Sequence, residues 1–184
     1  MAANLKLVAA DLEGVFVLQP AVFEDQRGSF VKTYHIDAFR EAGIPFVARE
    51  EFFSTSRKDV VRGMHFQMPP EAHDKLVYCP VGAVLDVVID LRKSSRTFGK
   101  TFSRELSAKN REMLFIPIGF AHGFLSLADD TMMVYQTSTV HSPANDAGIL
   151  WNSIGFEWPV KNPILSTRDK GFPALSDFKS PFGA

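Results

Sequence analysis

The sequence predicts an all-β fold, a jelly-roll sandwich or barrel with one short helix and an extended C-terminal strap. Short runs rich in β-branched and aromatic residues recur along the chain, with glycine and proline between them. Only one segment is typical of a helix, and the last thirty residues, with four prolines, are typical of a strap over the body. A chain of 184 residues is most simply one domain, residues 1–184.

The predicted elements lie between clear turn signals. Asp37 is expected to cap a helix over the sequence DAFREA, and Gly43 is expected to end it. Pro80 and Gly82 separate the two central strands. The predicted strands are residues 14–18, 29–35, 60–66, 75–81, 83–91, 101–106, 113–116, 123–127 and 131–140.

Composition and charge exclude several classes of protein. A formal net charge of −1 gives no reason to expect a nucleic-acid partner or a membrane surface. The single cysteine, Cys79, excludes an intramolecular disulfide and a multi-cysteine metal site, and it suits a reducing compartment. The N-terminus lacks the apolar segment of a signal peptide, and no apolar run approaches the ~18 residues of a membrane span. We therefore expect a cytoplasmic protein.

Carboxylates interrupt the most apolar strand. Asp86 and Asp90 share one face with Val84 and Val88, because side chains alternate along a strand. A carboxylate inside a barrel must be paired or hydrated, whereas one at a sheet edge is simply solvated. The sequence leaves both interpretations open for these two residues.

A second group of polar residues lies in the segment VVRGMHFQMPP. Arg62 and His65 are three residues apart, so a regular pleat would send them to opposite faces of the strand. Gly63 between them permits a bulge that would turn both side chains into one cavity.

Other candidates are spread over the second half of the chain. His122 is expected in a loop before a strand, and Tyr135 and His141 are expected on one strand face. Ser166 and Asp169 lie in the strap. Together with Lys75, which opens a strand, these residue types suit proton transfer at a carbon next to a carbonyl.

The order of the motifs resembles that of the dTDP-4-dehydrorhamnose 3,5-epimerase family, from about residue 14 to residue 177. The resemblance implies a jelly-roll barrel of the cupin type, a homodimer with strand exchange, no metal and no cofactor. It also implies a nucleotide-linked 4-keto-6-deoxy sugar as substrate. The motifs are FEDQRGSF, VVRGMHFQMPP, KLVYCPVGAVLDVVIDLRKSSRTFGK, IPIGFAHGF, VYQTS, GILWN, FEWP and ILSTRD.

The resemblance also implies a catalytic set. The histidine of the RGxHF motif, His65, is the base, and its partner is the aspartate of LSxxD, Asp169. Tyr135 is the acid on the opposite face of the sugar, and Lys75 stabilises the enolate.

Further residues are implied as substrate contacts. Arg62 and Arg27 would hold the pyrophosphate, with Arg27 reaching over from the other subunit, and His122 would line the site. The remaining candidates for substrate binding are Gln67, Ser166, His141 and Glu50.

Three places depart from the family pattern. Many members carry Gln-Asp-Asn where this chain has Glu50, Glu51 and Phe52. A glutamate after the first Arg-Gly pair is Lys32 here, and an aromatic residue, usually tyrosine, is His141. The catalytic set is intact while the nucleotide and sugar contacts differ. An epimerase of C3 alone or C5 alone, or one for a different nucleotide-linked keto sugar, therefore stays open as an alternative.

Two other classes compete with this interpretation. A metal-dependent cupin oxygenase needs two histidines one residue apart and a following glutamate, but Phe66 and Gln67 follow His65 here. A non-catalytic sugar-binding barrel needs no base and no opposed acid, so the complete catalytic set argues against it.

Overall fold

The computed structural model describes residues 5–183, in which two antiparallel sheets form a jelly-roll barrel, as predicted. The strands are β1 (Lys6–Ala9), β2 (Phe16–Gln19), β3 (Val22–Asp25), β4 (Gly28–Val31), β5 (Glu50–Ser56), β6 (Val61–Gln67), β7 (Lys75–Val81), β8 (Ala83–Asp90), β9 (Thr101–Ser107), β10 (Met113–Ile116), β11 (Phe120–Ser126), β12 (Thr131–Thr137) and β13 (Asp146–Gly148). Two short helices, α1 (Ile36–Glu41) and α2 (Thr167–Lys170), and a 3-10 turn at Leu175–Asp177 complete the described elements.

The order of strands brings distant parts of the chain together. The six-stranded sheet runs β1-β2-β10-β7-β12-β5, and the five-stranded sheet runs β13-β6-β11-β8-β9. Strands β3 and β4 form a separate hairpin. No helix within residues 5–183 is long and apolar enough to cross a membrane.

Alternation along β8 explains how the five-stranded sheet is buried on both faces. Val84 and Val88 point toward the six-stranded sheet and join the core between the sheets. Val87 and Ile89 point the other way and pack under the C-terminal strap. Both faces of β8 are therefore apolar, as in strands that are covered on two sides.

The C-terminal strap covers the outer face of the five-stranded sheet. Ile149, Trp158 and Phe182 are buried there against residues of β6, β8 and β11. A parallel bridge between Val60 and Ile164 fixes the strap beside β6. The strap predicted from its prolines is confirmed, but it also contains α2, a second helix that the sequence did not predict.

The predicted helix is present with a different cap. His35, not Asp37, is its N-cap, and its Nδ1 atom accepts a hydrogen bond from the Ala38 N–H at 3.5 Å. Asp37 lies instead in the first turn, where a carboxylate interacts favourably with the helix dipole. Phe39 anchors α1 on the outer face of the six-stranded sheet, packed with Phe46.

Four strands were missed, namely β1, β3, β5 and β13, and two runs were predicted too long, residues 29–35 and 131–140. The sequence of β5 places Glu50, Glu51, Phe52 and Phe53 in succession, so it lacks the alternation by which strands are recognised. Strand β1 is only four residues long and was also missed. The run predicted over residues 29–35 ends at Val31, because β4 pairs only with β3.

Candidate active site

A cavity of about 370 Å³ opens between the two sheets and collects most of the predicted site residues. Strands from both sheets supply its walls, and the strap closes one side. The lining side chains are Glu50, Phe52, Ser54, Arg62, His65, Phe66, Gln67, His73, Lys75, His122, Phe124, Tyr135, His141, Asp146 and Arg168.

His65 and Asp169 form a hydrogen-bonded pair in this cavity. The Nε2 atom of His65 lies 2.8 Å from Oδ1 of Asp169, whose side chain is only 4% exposed. Desolvation lowers the pKa of His65, although Asp169 opposes this effect. Desolvation alone would raise the pKa of Asp169, but hydrogen bonds led by that from His65 lower it. The stable state is therefore a carboxylate that accepts the Nε2–H of a neutral imidazole, which leaves the Nδ1 lone pair free to accept a proton.

A bulge in β6 brings Arg62 and His65 into the same cavity, as expected from the glycine between them, Gly63. His65 pairs with His122 and Arg62 pairs with Phe124, so β6 carries one extra residue between these two pairs. Gly63 has φ +139, and a Cβ there would lie 2.5 Å from the Cα of Gly123. The close approach of β6 and β11 thus requires glycine at this position.

The strap fixes Asp169 from behind. Ser166 is the N-cap of α2, and its hydroxyl accepts the Asp169 N–H at 3.0 Å. The second carboxylate oxygen of Asp169 accepts the Gly63 N–H at 3.2 Å. Ser166 was expected to contact the substrate, but it does not line the cavity. It holds the helix that presents Asp169 instead.

An aromatic ring from the strap packs against His65. The ring of Phe172 lies edge-on to His65, with centroids 5.7 Å apart. A Cβ on Gly148 would stand 2.4 Å from that ring, so the glycine of the GILWN motif makes room for Phe172. The strap therefore supplies both side chains that contact the His65 ring, Asp169 and Phe172.

Lys75 reaches the cavity from β7. Its ammonium group donates a hydrogen bond of 3.1 Å to the backbone oxygen of His65. Desolvation lowers the pKa of Lys75 to about 8, while the charges of Asp146 and Asp86 act in the other direction. With a pKa of about 8, Lys75 is still mostly a charged ammonium at neutral pH, which suits a group that stabilises a transient anion.

Tyr135 enters the cavity from the six-stranded sheet, opposite β6. Its hydroxyl lies 3.2 Å from the Ser54 hydroxyl, and its ring stacks on Phe52. Desolvation raises the pKa of Tyr135, so the phenol is protonated at neutral pH and is available as an acid.

A second histidine–aspartate pair lies deeper in the barrel. The Nε2 atom of His122 is 2.8 Å from Oδ2 of Asp86, and both side chains are buried. Burial raises the pKa of Asp86, an effect that His122 counters. His122 lies inside β11, not in a loop as expected, because Gly123 continues the strand rather than ending it. The same contact decides the open question about Asp86, which is not solvated.

Asp90 is also buried, but it does not line the cavity. Its carboxylate accepts hydrogen bonds from Arg92, Ser95 and Thr97 in the loop after β8. The two aspartates of β8 thus have different roles: Asp86 pairs with His122, and Asp90 stabilises the loop after β8.

Another part of the cavity wall is polar and fixed by the backbone. The Gln67 side chain accepts the Ser142 N–H and donates to the Glu71 carbonyl, each at 2.6 Å. The Glu50 carboxylate accepts the His141 N–H at 2.6 Å. His141 follows the end of β12, so the strand face that it was expected to share with Tyr135 does not extend to it. It lines the cavity nonetheless.

Several lining residues were not assigned from the sequence. His73 is two residues before Lys75, and desolvation lowers its pKa to about 3, so it is neutral. Arg168 and Asp146 form an ion pair of 2.5 Å at the edge of the cavity. The position of His73, two residues before Lys75, could have marked it as a candidate in the sequence. The Arg168–Asp146 pair could not be predicted in this way, because it depends on the path of the strap.

Arg27, like Ser166, is a predicted contact that does not line the cavity. It is in the turn between β3 and β4, where it pairs with Asp25, and its side chain is 86% exposed. No group of three or more histidine, cysteine, aspartate or glutamate side chains within residues 5–183 is arranged to hold a metal ion.

Comparisons with known proteins show the family of this chain. The sequence profile of the dTDP-4-dehydrorhamnose 3,5-epimerase family matches residues 9–177. A dTDP-4-dehydrorhamnose 3,5-epimerase of Shigella flexneri is 44% identical over 170 residues, covering 90% of this chain and 93% of the relative. A dTDP-4-dehydrorhamnose 3-epimerase of Streptomyces niveus is 36% identical, covering 94% and 85%.

A solved structure has the same fold. The dTDP-4-dehydrorhamnose 3,5-epimerase of Bacillus anthracis, crystallised with TDP and PPi bound, superimposes with a TM-score of 0.91 at 36% identity. The match covers 94% of this chain and 100% of that one. With the fold, the cavity and these relatives in agreement, this chain belongs to the dTDP-4-dehydrorhamnose 3,5-epimerase family.

Proposed function

We propose that the protein is an epimerase that inverts C3 and C5 of a nucleotide-linked 4-keto-6-deoxy sugar. The substrate would be dTDP-4-dehydro-6-deoxyglucose and the product dTDP-4-dehydrorhamnose. One observation carries the proposal: His65, which is hydrogen-bonded to Asp169, and Tyr135 line one cavity from facing sheets. A base and an acid on opposite sides of a substrate are what an inversion requires.

The arrangement supports a two-stage proton transfer at each carbon. The free Nδ1 of His65 removes the proton next to the C4 ketone, and the electron pair of that C–H bond moves through the new C=C bond onto O4. The Lys75 ammonium stabilises this enolate. The Tyr135 hydroxyl then gives its proton to the opposite face of the carbon while the ketone re-forms. Imidazolium and phenolate regain their starting charges by proton exchange with water before the next carbon reacts.

The charges of the cavity support the binding of a nucleotide diphosphate. Arg62 lines the cavity, and its guanidinium is oriented by hydrogen bonds to the Ser56 hydroxyl and the Thr55 carbonyl, at 3.0 and 2.9 Å. A guanidinium held in this way suits a diphosphate, which it can contact through parallel hydrogen bonds. The TDP bound in the B. anthracis relative supports thymidine as the nucleoside.

The β3–β4 hairpin supports a homodimer. The hairpin pairs with no other strand of the described chain, and it exposes Phe23 and Phe30, the latter by 60%. Arg27 at its tip does not reach the cavity of its own protomer. A second copy that receives this hairpin would bury the two phenylalanines and bring Arg27 to the diphosphate. Light scattering should then give about twice 20.5 kDa.

A narrower reaction is the second candidate. The S. niveus relative is named a 3-epimerase, and the wall formed by Glu50, Phe52 and His141 departs from the family pattern. Such a wall would leave proton transfer intact and change which carbon reaches the acid.

A proton NMR time course in heavy water distinguishes these candidates. With dTDP-4-dehydro-6-deoxyglucose we expect deuterium at both C3 and C5, together with the inverted product. Deuterium at C3 alone would favour the 3-epimerase, and CDP- and GDP-linked analogues in parallel test the nucleotide. We expect the same time course after EDTA treatment, since the proposed steps need no metal or cofactor. A cytoplasmic location also stays a prediction. Wild-type protein that exchanges no deuterium with any of these sugars would refute the proposal.

A further inference from the structure

The ring of Tyr135 is held by a strand that carries none of the other proposed acid–base groups. Phe52 of β5 is the direct cross-strand partner of Tyr135. The two rings stack, with centroids 4.8 Å apart and an angle of 16° between their planes. Two residues further along β5, the Ser54 hydroxyl lies 3.2 Å from the Tyr135 hydroxyl.

Strand β5 alternates between the cavity and the outside. Phe52 and Ser54 line the cavity, whereas Phe53 between them is 65% exposed and does not line it. Within the described residues β5 pairs only with β12, so it is the edge strand of its sheet. The stack on Phe52 and the contact with Ser54 therefore come from a strand that pairs with only one neighbour in the described chain.

We propose that Phe52 is a positioning residue that fixes the ring of Tyr135 for proton return, with Ser54 directing its hydroxyl. This inference rests on the proposed function, because it assigns Phe52 a role through the proposed acid. Phe52 makes no proton transfer of its own.

The stack on Phe52 restricts the rotation of the Tyr135 ring, and this rotation decides where the hydroxyl lies. A tyrosine ring turns about two side-chain torsions, and a stacked neighbour restricts both of them. Phe52 covers one side of the ring, and His122 meets it edge-on with centroids 6.2 Å apart. Ser54 then sets the direction of the hydroxyl. Displacement of a reacting group by 1 Å can cost about 10²-fold in rate, so loss of the stack should slow proton return.

Proton removal should not depend on this stack. His65 lies on the facing sheet and is oriented by Asp169 and Phe172, neither of which contacts β5 through a hydrogen bond or a ring contact in the described structure. Loss of the Phe52 ring should therefore separate the two halves of the reaction. It should lower kcat for inversion while deuterium exchange and KM change little.

The test uses three variants of the full-length protein with dTDP-4-dehydro-6-deoxyglucose in heavy water. Phe52→Leu removes the ring and keeps an apolar side chain, and Phe52→Tyr keeps the ring. Phe53→Leu is the matched control, since it makes the same change one residue along the same strand on the outer face. Exchange and inversion are measured by NMR in the same tube, and light scattering gives the size of each variant.

We expect Phe52→Leu to lose about tenfold or more in inversion, part of the cost of misplacing the acid, while its exchange stays within about twofold of wild type. Phe52→Tyr should restore inversion, and Phe53→Leu should match wild type in both measurements. Inversion at the wild-type rate in Phe52→Leu overturns the inference, and so does an equal loss of exchange and inversion. An equal effect of Phe53→Leu overturns it as well. Exchange by the wild-type protein stands apart from these outcomes, because its absence would refute the proposed function itself.

Discussion

The two sides of the cavity hold the proposed base, His65, and the proposed acid, Tyr135, in different ways. On the base side, His65 is hydrogen-bonded to Asp169, whose carboxylate accepts the Gly63 N–H and whose backbone N–H donates to the Ser166 hydroxyl. On the acid side, Tyr135 has one hydroxyl contact and one ring stack, both from an edge strand, and an edge-on contact with the ring of His122.

This difference indicates where the site tolerates change. The base side is built from buried hydrogen bonds, and removing one partner leaves another polar group without one. The acid side is built from packing against an exposed strand. The departures from the family pattern that line the cavity, at Glu50, Phe52 and His141, all lie on or next to the strands of the acid side. We infer that the base side sets the reaction and the acid side tunes its outcome.

The largest effect is expected on the base side. His65→Asn removes the proton acceptor, so exchange and inversion should both fall by about 10³–10⁴-fold, the upper part of the range for loss of a general base. His35→Asn is the matched control, because His35 lies outside the cavity and asparagine is also a good helix cap. Exchange at the wild-type rate in His65→Asn would assign the base to another residue.

Asp169→Asn should have the next largest effect. The amide can donate to Nε2 of His65 and so favour the tautomer whose Nδ1 carries a proton, which cannot act as a base. We expect both exchange and inversion to fall by about 10²-fold, within the range for impaired general-base catalysis. Asp177→Asn, an exposed change in the same strap, should match wild type. A variant that loses inversion alone would place Asp169 on the acid side.

The pH dependence of the rate follows from the pKa values of His65 and Lys75. The lowered pKa of His65 means that the base stays neutral to below its ordinary value of about 6.5, so the rate should fall only in more acidic solution. The pKa of Lys75 is about 8, so its ammonium is lost as the pH rises through that value and the rate should fall again. The plot of kcat/KM against pH should be bell-shaped, and Lys75→Met should lack the basic limb in its remaining activity. A basic limb that persists unchanged in Lys75→Met would assign it to another group.

The smallest effect is expected at His141. His141→Tyr keeps a ring at the cavity and keeps the backbone N–H that donates to Glu50. It should shift the ratio of products inverted at C3 and C5 by at most about fivefold, which corresponds to one hydrogen bond of about 1 kcal/mol. NMR integration of the products measures it, and a change in total exchange would contradict its placement on the acid side.

Features carried by sequence motifs could be predicted, and contacts between distant segments that no motif marks could not. The pairing of His65 with Asp169 was implied by the RGxHF and LSxxD motifs, and the bulge followed from Gly63 between Arg62 and His65. The role of Ser166 was missed, because a four-residue helix leaves little trace in a sequence.

Strand β5 shows the limit more clearly. Two glutamates followed by two phenylalanines give no alternation, so neither the strand nor the stack of Phe52 on Tyr135 was predicted. The partner of Asp86 was equally hidden, since His122 lies 36 positions away. Alternation placed Asp86 on a face of β8, but it could not tell whether that face was wet.

Tyr135→Phe tests the division between the two sides most directly. The change keeps the ring, the stack on Phe52 and the packing, and it removes only the hydroxyl. Deuterium exchange and inversion would be followed together in heavy water with dTDP-4-dehydro-6-deoxyglucose. We predict that inversion falls by about 10²-fold or more, as for loss of a general acid, while exchange falls much less, because His65 still removes the proton and can return it to the original face. Inversion by Tyr135→Phe at the wild-type rate would contradict the account, since the acid would then be another residue or water.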